Sequence, residues 1–253
     1  MNNNLANIKK SILFLNKNEC VAIPTETVYG LAANAYSSKA VKKIYALKKR
    51  PNNNPSIIHY SSLNQLKKDC ELNKYFFILY KKFCPGPITF VLKLKKESRI
   101  SKLATNNKKT VAVRFPKNKL TQKLLRLLKY PLAAPSANIS TKISPVSKED
   151  VKEEFGNKIK FILDGGRSII GLESTIVSLV SKPKILRLGG MERSKINEVL
   201  NKIIKYYRTN KKITVPGQSK LHYSPGIPIK LNTTKSKPHE AFILIKKRKK
   251  SCK

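Results

Sequence analysis

The chain is poor in acid: against 53 Lys+Arg it carries 14 Asp+Glu, a formal net charge of +39 over 253 residues. Long apolar runs are missing too, and none approaches the roughly 20 residues that a membrane-spanning helix needs. The opening MNNNLANIKKSILFLNKN has a short apolar stretch and no small-residue cleavage site, so it does not read as a signal peptide. Cys20, Cys70, Cys84 and Cys252 are scattered without a CxxC spacing, which argues against a zinc cluster or a disulfide framework. A reducing, cytoplasmic setting is the default for such a chain. The three histidines, His59, His222 and His239, form no HExxH pattern and no readable Ser/His/Asp or Cys/His constellation. There is no GxxxxGK[ST] loop and no GxGxxG after a first strand, which removes the usual glycine-built phosphate cradles. The paired glycines of DGGRSIIG and LRLGG read as tight turns.

What is present suffices for a core. A hydrophobic fraction of 40% argues against global disorder, and the length fits one large α/β domain or two small ones. The positive charge draws in anionic ligands and is compatible with nucleic-acid binding. Lysines are spread along the whole chain, however, so composition explains the charge equally well.

Periodicity lays out the elements. Leu5, Ile8, Ile12 and Leu15 recur at helical spacing ahead of the strand VAIP. SSKAVKKIYALKKR reads as a helix with Val41, Ile44, Tyr45 and Leu47 inward, ended by Pro51 and Pro55. SIIHY, ITFVLKL, TVAVRFP and YPLAAPSAN read as strands, with helices expected at 62–70, 73–83 and over NKLTQKLLRLLK. KEDVKEEFG is a helix closing near Gly156. KFILDGG, STIVSLV and KILRLGG are short strands, and a last helix is expected from Glu192 to Tyr207. Strands alternate with helices but sometimes follow one another directly, which predicts an α/β sheet of mixed direction. From about Lys211 the chain turns rich in Pro, Gly, Ser and Lys and reads as linker, so residues 1–210 form the expected domain and 211–253 a tail.

One stretch resists routine assignment. In VAIPTETVYGLAANAY a strand meets Thr25-Glu26-Thr27, where a turn would ordinarily use Gly, Asn or Asp. Other strands also end in hydroxyls, amides or guanidinium groups: Arg114 in TVAVRFP, Ser136 and Asn138 after LAAP, Ser174 and Thr175 in EST. Strand ends of α/β sheets are where ligands gather, and these groups suit phosphates and carboxylates. Lys48 and Arg50, two residues apart just before Pro51, add cations at one place.

The blocks IPTETVYGLAANA, ALKKRPNNNPSIIH, PGPITFVLK, TVAVRFP, PLAAPSANIS, ESTIV and ILRLGG occur in the order found in the threonylcarbamoyl-adenylate synthase family, and the chain resembles that family over roughly residues 5–205. The resemblance implies a YrdC-like α/β fold, a twisted mixed sheet flanked by helices around a concave basic cavity. It implies a nucleotidyltransferase that makes threonylcarbamoyl-AMP and pyrophosphate from ATP, L-threonine and bicarbonate, with Mg²⁺ on the ATP. The product would pass to a threonylcarbamoyl transferase complex for N6-threonylcarbamoyladenosine at position 37 of tRNAs reading ANN codons. Carried over by position, Thr25, His59, Arg114 and Ser174 would hold threonine. Lys48, Arg50, Asn54, Thr110, Ser136, Asn138 and Arg187 would hold ATP, with Lys48 and Arg50 the most critical. No side chain is singled out as acid, base, nucleophile or metal ligand.

VPGQSKLHYSPGIP resembles the linker that folds over the active-site mouth in two-domain relatives, which makes His222 and Tyr223 expected lid residues over a remnant of a shortened second domain. Two alternatives stay open on the residues alone. One is a non-enzymatic RNA-binding or ribosome-assembly factor on the same fold, with direct tRNA contact. The other is carbamoyl-adenylate formation from carbamoyl phosphate, as in hydrogenase-maturation proteins.

Overall fold

The computed structural model describes residues 2–51, 53–207, 228–233, 235–241 and 243. Eight helices and ten strands are found among them. In chain order they are α1 (Asn2–Asn16), β1 (Val21–Ile23), β2 (Gly30–Asn34), α2 (Ser38–Lys48), β3 (Ile57–His59), α3 (Leu63–Leu66), β4 (Cys70–Glu71), α4 (Lys74–Phe83) and β5 (Ile88–Leu94). Then come α5 (Lys102–Thr105), β6 (Thr110–Arg114), α6 (Lys119–Leu127), β7 (Leu132–Ala133), α7 (Lys148–Phe155), β8 (Phe161–Ile162), β9 (Thr175–Ser178), β10 (Lys184–Arg187) and α8 (Arg193–Leu200).

The strands form one sheet in the order β10-β9-β5-β6-β3-β7-β2-β1-β8, with β4 paired to β5. Its direction is mixed, as the sequence predicts: β3/β6, β5/β9 and β1/β8 are parallel, and the remaining pairs antiparallel. Successive side chains in a strand face opposite sides, and the core divides accordingly. Ala22, Leu31, Ala33, Ile58, Phe90, Val113, Ala133 and Val177 pack on one face with Val41 and Ile44 of α2 and Phe76 and Leu79 of α4. On the other face, Val21, Ile23, Ala32, Leu132 and Ala134 pack against Ile8 and Leu15 of α1 and Leu124 and Leu125 of α6. That second cover stops at β7. Beyond it the same face carries a small cluster, Ile57, Val91, Ala112, Ile176 and Leu186. This uncovered half of the sheet is where the concavity lies.

Three elements differ from the sequence reading. GLAANAY supplies β2, an antiparallel partner of β1 in which Ile23 faces Gly30, so the puzzling TET stretch is the loop of a hairpin. The helix expected to reach residue 70 stops at Leu66. There buried Asp69 accepts hydrogen bonds from the Tyr36, Tyr60 and Ser98 hydroxyls and draws the chain into β4. The last helix ends at Leu200 instead of continuing to Tyr207. Asn201 takes a left-handed conformation (φ 46°), Ile204 is buried, and Tyr207 N donates to the Ile185 carbonyl at 2.8 Å, returning the chain to the sheet edge. Cys20, Cys70 and Cys84 are free thiols, in line with a chain without a disulfide framework.

Candidate active site

The hairpin loop shows what two threonines can do in place of Asx residues. Thr25 Oγ1 accepts from Thr27 N and Val28 N, each at 3.2 Å, and donates to the Val28 carbonyl at 2.6 Å. With its one proton used there, the 2.8 Å contact with Thr27 Oγ1 has Thr27 as donor. Thr25 therefore closes the turn as an Asp or Asn would, and its hydroxyl is engaged inside the loop. The loop is tied down from outside as well, by Ser168 Oγ donating to the Thr25 carbonyl at 2.9 Å and by Ile170 N and Gly171 N donating to the Glu26 and Thr27 carbonyls.

A concavity of about 480 Å³, open to solvent, is walled by this loop, the uncovered sheet face and the 134–136 and 173–174 segments. Of the residues singled out in the sequence, Thr25, Arg50, His59, Arg114, Ser136, Ser174 and Arg187 line it. Arg50 gets there because Lys49 caps α2 in a left-handed conformation (φ 47°), turning the chain as Arg50 N donates back to the Tyr45 carbonyl. Its guanidinium then donates to the Asn54 carbonyl at 3.0 Å, to Asn54 Oδ1 at 2.7 Å and to the Pro55 carbonyl at 2.8 Å. Burial lowers its pKa to about 10, which still leaves it charged at neutral pH.

Lys48 and Asn138 sit beneath the wall. The Lys48 ammonium, 1% exposed, donates to the Ser136 carbonyl at 2.6 Å and to the Asn138 carbonyl. Asn138 accepts from Ser136 Oγ at 2.6 Å and donates to the Ile139 and Lys142 carbonyls at 2.9 and 2.7 Å. These two side chains shape the 136–142 loop from below and lie outside the lining set. Burial, and then the Arg50 charge, push the Lys48 ammonium well below the ordinary lysine range.

Strand geometry separates the remaining candidates into two ends. His59 and Arg114 pair across the parallel β3/β6 ladder, and Ile57 pairs with Ala112. Extending that register backwards puts Thr110 opposite Pro55, beside Arg50 and Asn54. Thr110 shares the face of Ala112 and Arg114 but lies outside the lining set, four residues or about 13 Å from Arg114 at roughly 3.3 Å per residue. Arg50, Asn54 and Thr110 thus lie at one end of the β3/β6 pair, and His59 and Arg114, with Ser174 nearby, at the other. His222 and Tyr223 lie outside the described residues.

The second end is buried and strongly held. Arg114 is 4% exposed, with its Nη2 donating to Glu26 Oε1 at 2.7 Å and its Nε buried without a partner. Burial, reinforced by the Arg114 charge, drives the His59 imidazole down to about 3, so it is neutral at physiological pH, and its Nδ1 is buried without a partner. Ser174 Oγ meets Thr89 Oγ1 at 2.7 Å, and its carbonyl accepts from Arg187 Nε and Nη2 at 3.1 and 2.9 Å. Gly189 and Gly190 of LRLGG make this last contact possible. A Cβ at Gly189 would run into the Glu173 carbonyl oxygen, and Gly190 N donates to that oxygen at 2.7 Å. Close approach, more than a turn, is what the first glycine serves.

The sequence reading missed Glu26, Val28, Tyr29, Gly30 and Glu173. Glu26 had a signal, being the one charged residue between Glu19 and Lys39 in an otherwise apolar and hydroxyl stretch. Tyr29 lines the concavity while its hydroxyl donates to the Gly166 carbonyl at 2.8 Å, so the DGG turn also holds the wall.

The sequence model of the Sua5/YciO/YrdC family, which carries the description "Telomere recombination", matches residues 13–189, a span that contains every lining residue. The chain belongs to this family. It is 41% identical to the threonylcarbamoyl-AMP synthase of Pyrococcus abyssi over 222 residues, covering 85% of this chain and 65% of that protein. It is 40% identical to the threonylcarbamoyl-AMP synthase of Bacillus subtilis over 227 residues, covering 88% of this chain and 65% of that protein. The chain thus spans about two thirds of the length of these family members. The crystal structure of P. abyssi Sua5 complexed with L-threonine superimposes with a TM-score of 0.82 at 40% identity, over 86% of this chain and 65% of that one.

Proposed function

We propose that the protein is an L-threonylcarbamoyladenylate synthase, a nucleotidyltransferase that joins L-threonine, bicarbonate and the AMP part of ATP and releases pyrophosphate. The observation that carries this reading is the two-ended concavity. Arg114, neutral His59 and Ser174 form a buried end suited to one amino acid, Arg50, backed by Asn54, and Ser136 offer a fork and a hydroxyl to a nucleotide, and Arg187, bonded to Ser174, stands between the two. The names of the 40%-identical relatives and the threonine complex of P. abyssi Sua5 support it from outside.

The chemistry asks for positioning. The threonine amine adds to bicarbonate or carbon dioxide to give an N-carboxylate, and an oxygen of that group attacks the α-phosphorus as the bond to pyrophosphate breaks. Holding two anions in line inside a low-dielectric site can supply roughly 7–11 kcal/mol of barrier reduction in well-oriented systems. A guanidinium fork is the natural partner for the threonine carboxylate, and Arg114 lines this end of the concavity. Neutral His59 can take part in hydrogen bonds without repelling the threonine ammonium. Arg50 and Arg187 offset charge at the phosphate end.

No group of three or more His, Cys, Asp or Glu side chains among the described residues could hold a metal ion. Mg²⁺ enters in this reading as part of the ATP substrate, ligated by phosphate oxygens and water. In the cell the product would pass to a threonylcarbamoyl transferase complex acting on adenosine 37 of tRNAs that read ANN codons. Cytoplasmic residence follows from that role, and the +39 charge favours contact with tRNA during handover. No helix among the described residues is long and apolar enough to cross a membrane.

The test is pyrophosphate release from ATP with threonine and bicarbonate each omitted in turn. Release that needs both supports the synthase. Release driven by carbamoyl phosphate instead, or no release from folded protein that binds tRNA tightly with steep salt dependence, overturns it.

A further inference from the structure

Glu26 lies behind the site, 7% exposed and outside the lining set, while its neighbours Thr25 and Val28 line the concavity. Both of its carboxylate oxygens are used: Oε1 accepts from Arg114 Nη2 at 2.7 Å and Oε2 from Lys117 N at 2.8 Å. Its carbonyl accepts from Ile170 N at 3.0 Å. A chain with 14 acidic residues against 53 basic ones has thus placed one of its few carboxylates, fully engaged, against the most buried guanidinium of the site. A carboxylate buried in this way is there for a partner, because an unpaired one would neutralise or unfold its surroundings.

Two consequences follow from the geometry. A guanidinium is a rigid plane with five N–H donors, so a partner on Nη2 that is itself anchored by Lys117 N fixes the direction of the whole plane. Nε, buried and unpartnered, is held on a fixed bearing with the rest of the plane, and the residue lines the concavity. The second consequence is electrostatic. Glu26 offsets part of the Arg114 charge, the remainder of which still reaches His59 and helps to keep it uncharged. This end of the concavity therefore grips a carboxylate through oriented hydrogen bonds, with little bare positive charge for phosphates to seek. Arg50 at the far end of the β3/β6 pair has carbonyl and amide partners among its hydrogen bonds instead of a carboxylate, and keeps its charge for phosphates.

We propose that Glu26 is the positioning and selectivity residue of the amino-acid end: it sets the plane of Arg114 for one carboxylate and cancels enough of its charge that phosphate groups are refused there. The inference rests on the synthase reading for the identity of the amino acid.

Two variants separate geometry from charge. Glu26→Asp keeps the charge but withdraws it by one methylene, and Glu26→Gln keeps the length but removes the charge. L-threonine and ATP affinities are measured by calorimetry on the full chain, with and without inorganic phosphate, after thermal melts establish folding. Glu26→Asp is expected to weaken threonine about tenfold, leave ATP within about twofold, and show no phosphate effect. Glu26→Gln is expected to make threonine binding sensitive to phosphate, as the wild type is not. Threonine affinity that is unchanged in both variants, or that falls together with ATP affinity, overturns the assignment. If one variant fails to fold, the other carries the test alone. A folded wild type that binds no threonine overturns the synthase reading itself, an outcome distinct from loss confined to the variants.

Discussion

Neutral His59 has a measurable cost in acid. The unfolded chain takes up a proton at this position near pH 6.5, whereas burial, with Arg114 beside it, holds the folded imidazole at about 3. The folded pKa is the lower of the two. The stability it contributes is therefore complete above the unfolded value and is lost as pH falls towards the folded one. Integrating one proton between these two values gives a loss of about 2 kcal/mol between pH 7 and pH 5 from this residue alone. For a domain of this size that corresponds to a fall in melting temperature of roughly 4–8 °C. Other groups titrate over the same interval, so the quantity to measure is a difference. Urea unfolding of the wild type and of the uncharged variant His59→Gln at pH 7 and pH 5 should show the wild type losing about 2 kcal/mol more than the variant over that interval. The variant is expected to be the less stable protein at pH 7, and the gap to narrow in acid. Parallel pH profiles for the two proteins would refute the buried neutral imidazole, and with it the uncharged amino-acid end.

Arg50→Ala and Arg114→Lys, the second of which keeps a cation for buried Glu26, are each expected to lower pyrophosphate release roughly 100-fold or more with the fold retained by circular dichroism, and near-wild-type rates in both would mean the site is elsewhere. Gly189→Ala forces a Cβ against the Glu173 carbonyl oxygen. It should cost about 1–3 kcal/mol in urea unfolding and weaken threonine binding through Ser174, and an unchanged midpoint would contradict the close approach described. Lys48→Met leaves the Ser136 and Asn138 carbonyls without their donor. ATP affinity should fall by about 1–3 kcal/mol while threonine affinity holds, and a selective loss of threonine binding would refute the role given to Lys48 beneath the nucleotide end.

Local signals located most elements, because helices with Ile8, Leu15, Val41 and Ile44 at helical spacing and strands such as ITFVLKL bury the faces their periodicity marks. The failures come from polar contacts, some long-range and some local, that periodicity does not mark. Asp69 looks like any exposed helix residue until Tyr36 and Tyr60, far apart in sequence, are seen to converge on it. Asn197 and Asn201 end α8 through contacts that helix propensity does not encode. At the site, Thr25, Arg114, Ser136 and Ser174 were legible as polar groups at strand ends, whereas Tyr29 and Glu173, which also line the concavity, were not. Lys48, Asn138 and Glu26 were not legible in their roles, since a cation or amide that holds another site residue carries the same sequence signature as one that holds a ligand.

The parallel pairing of β3 with β6 has a consequence for redesign. Spacing between the amino-acid and nucleotide ends is set by peptide rise along two hydrogen-bonded strands, a length that side-chain substitution cannot stretch. Either end can therefore be recut for a different occupant without detuning its distance from the other. A library confined to positions 28, 59 and 174 would explore new amino acids against an unaltered nucleotide anchor. An insertion or deletion within 110–114, by contrast, would reset the register and spoil both ends together.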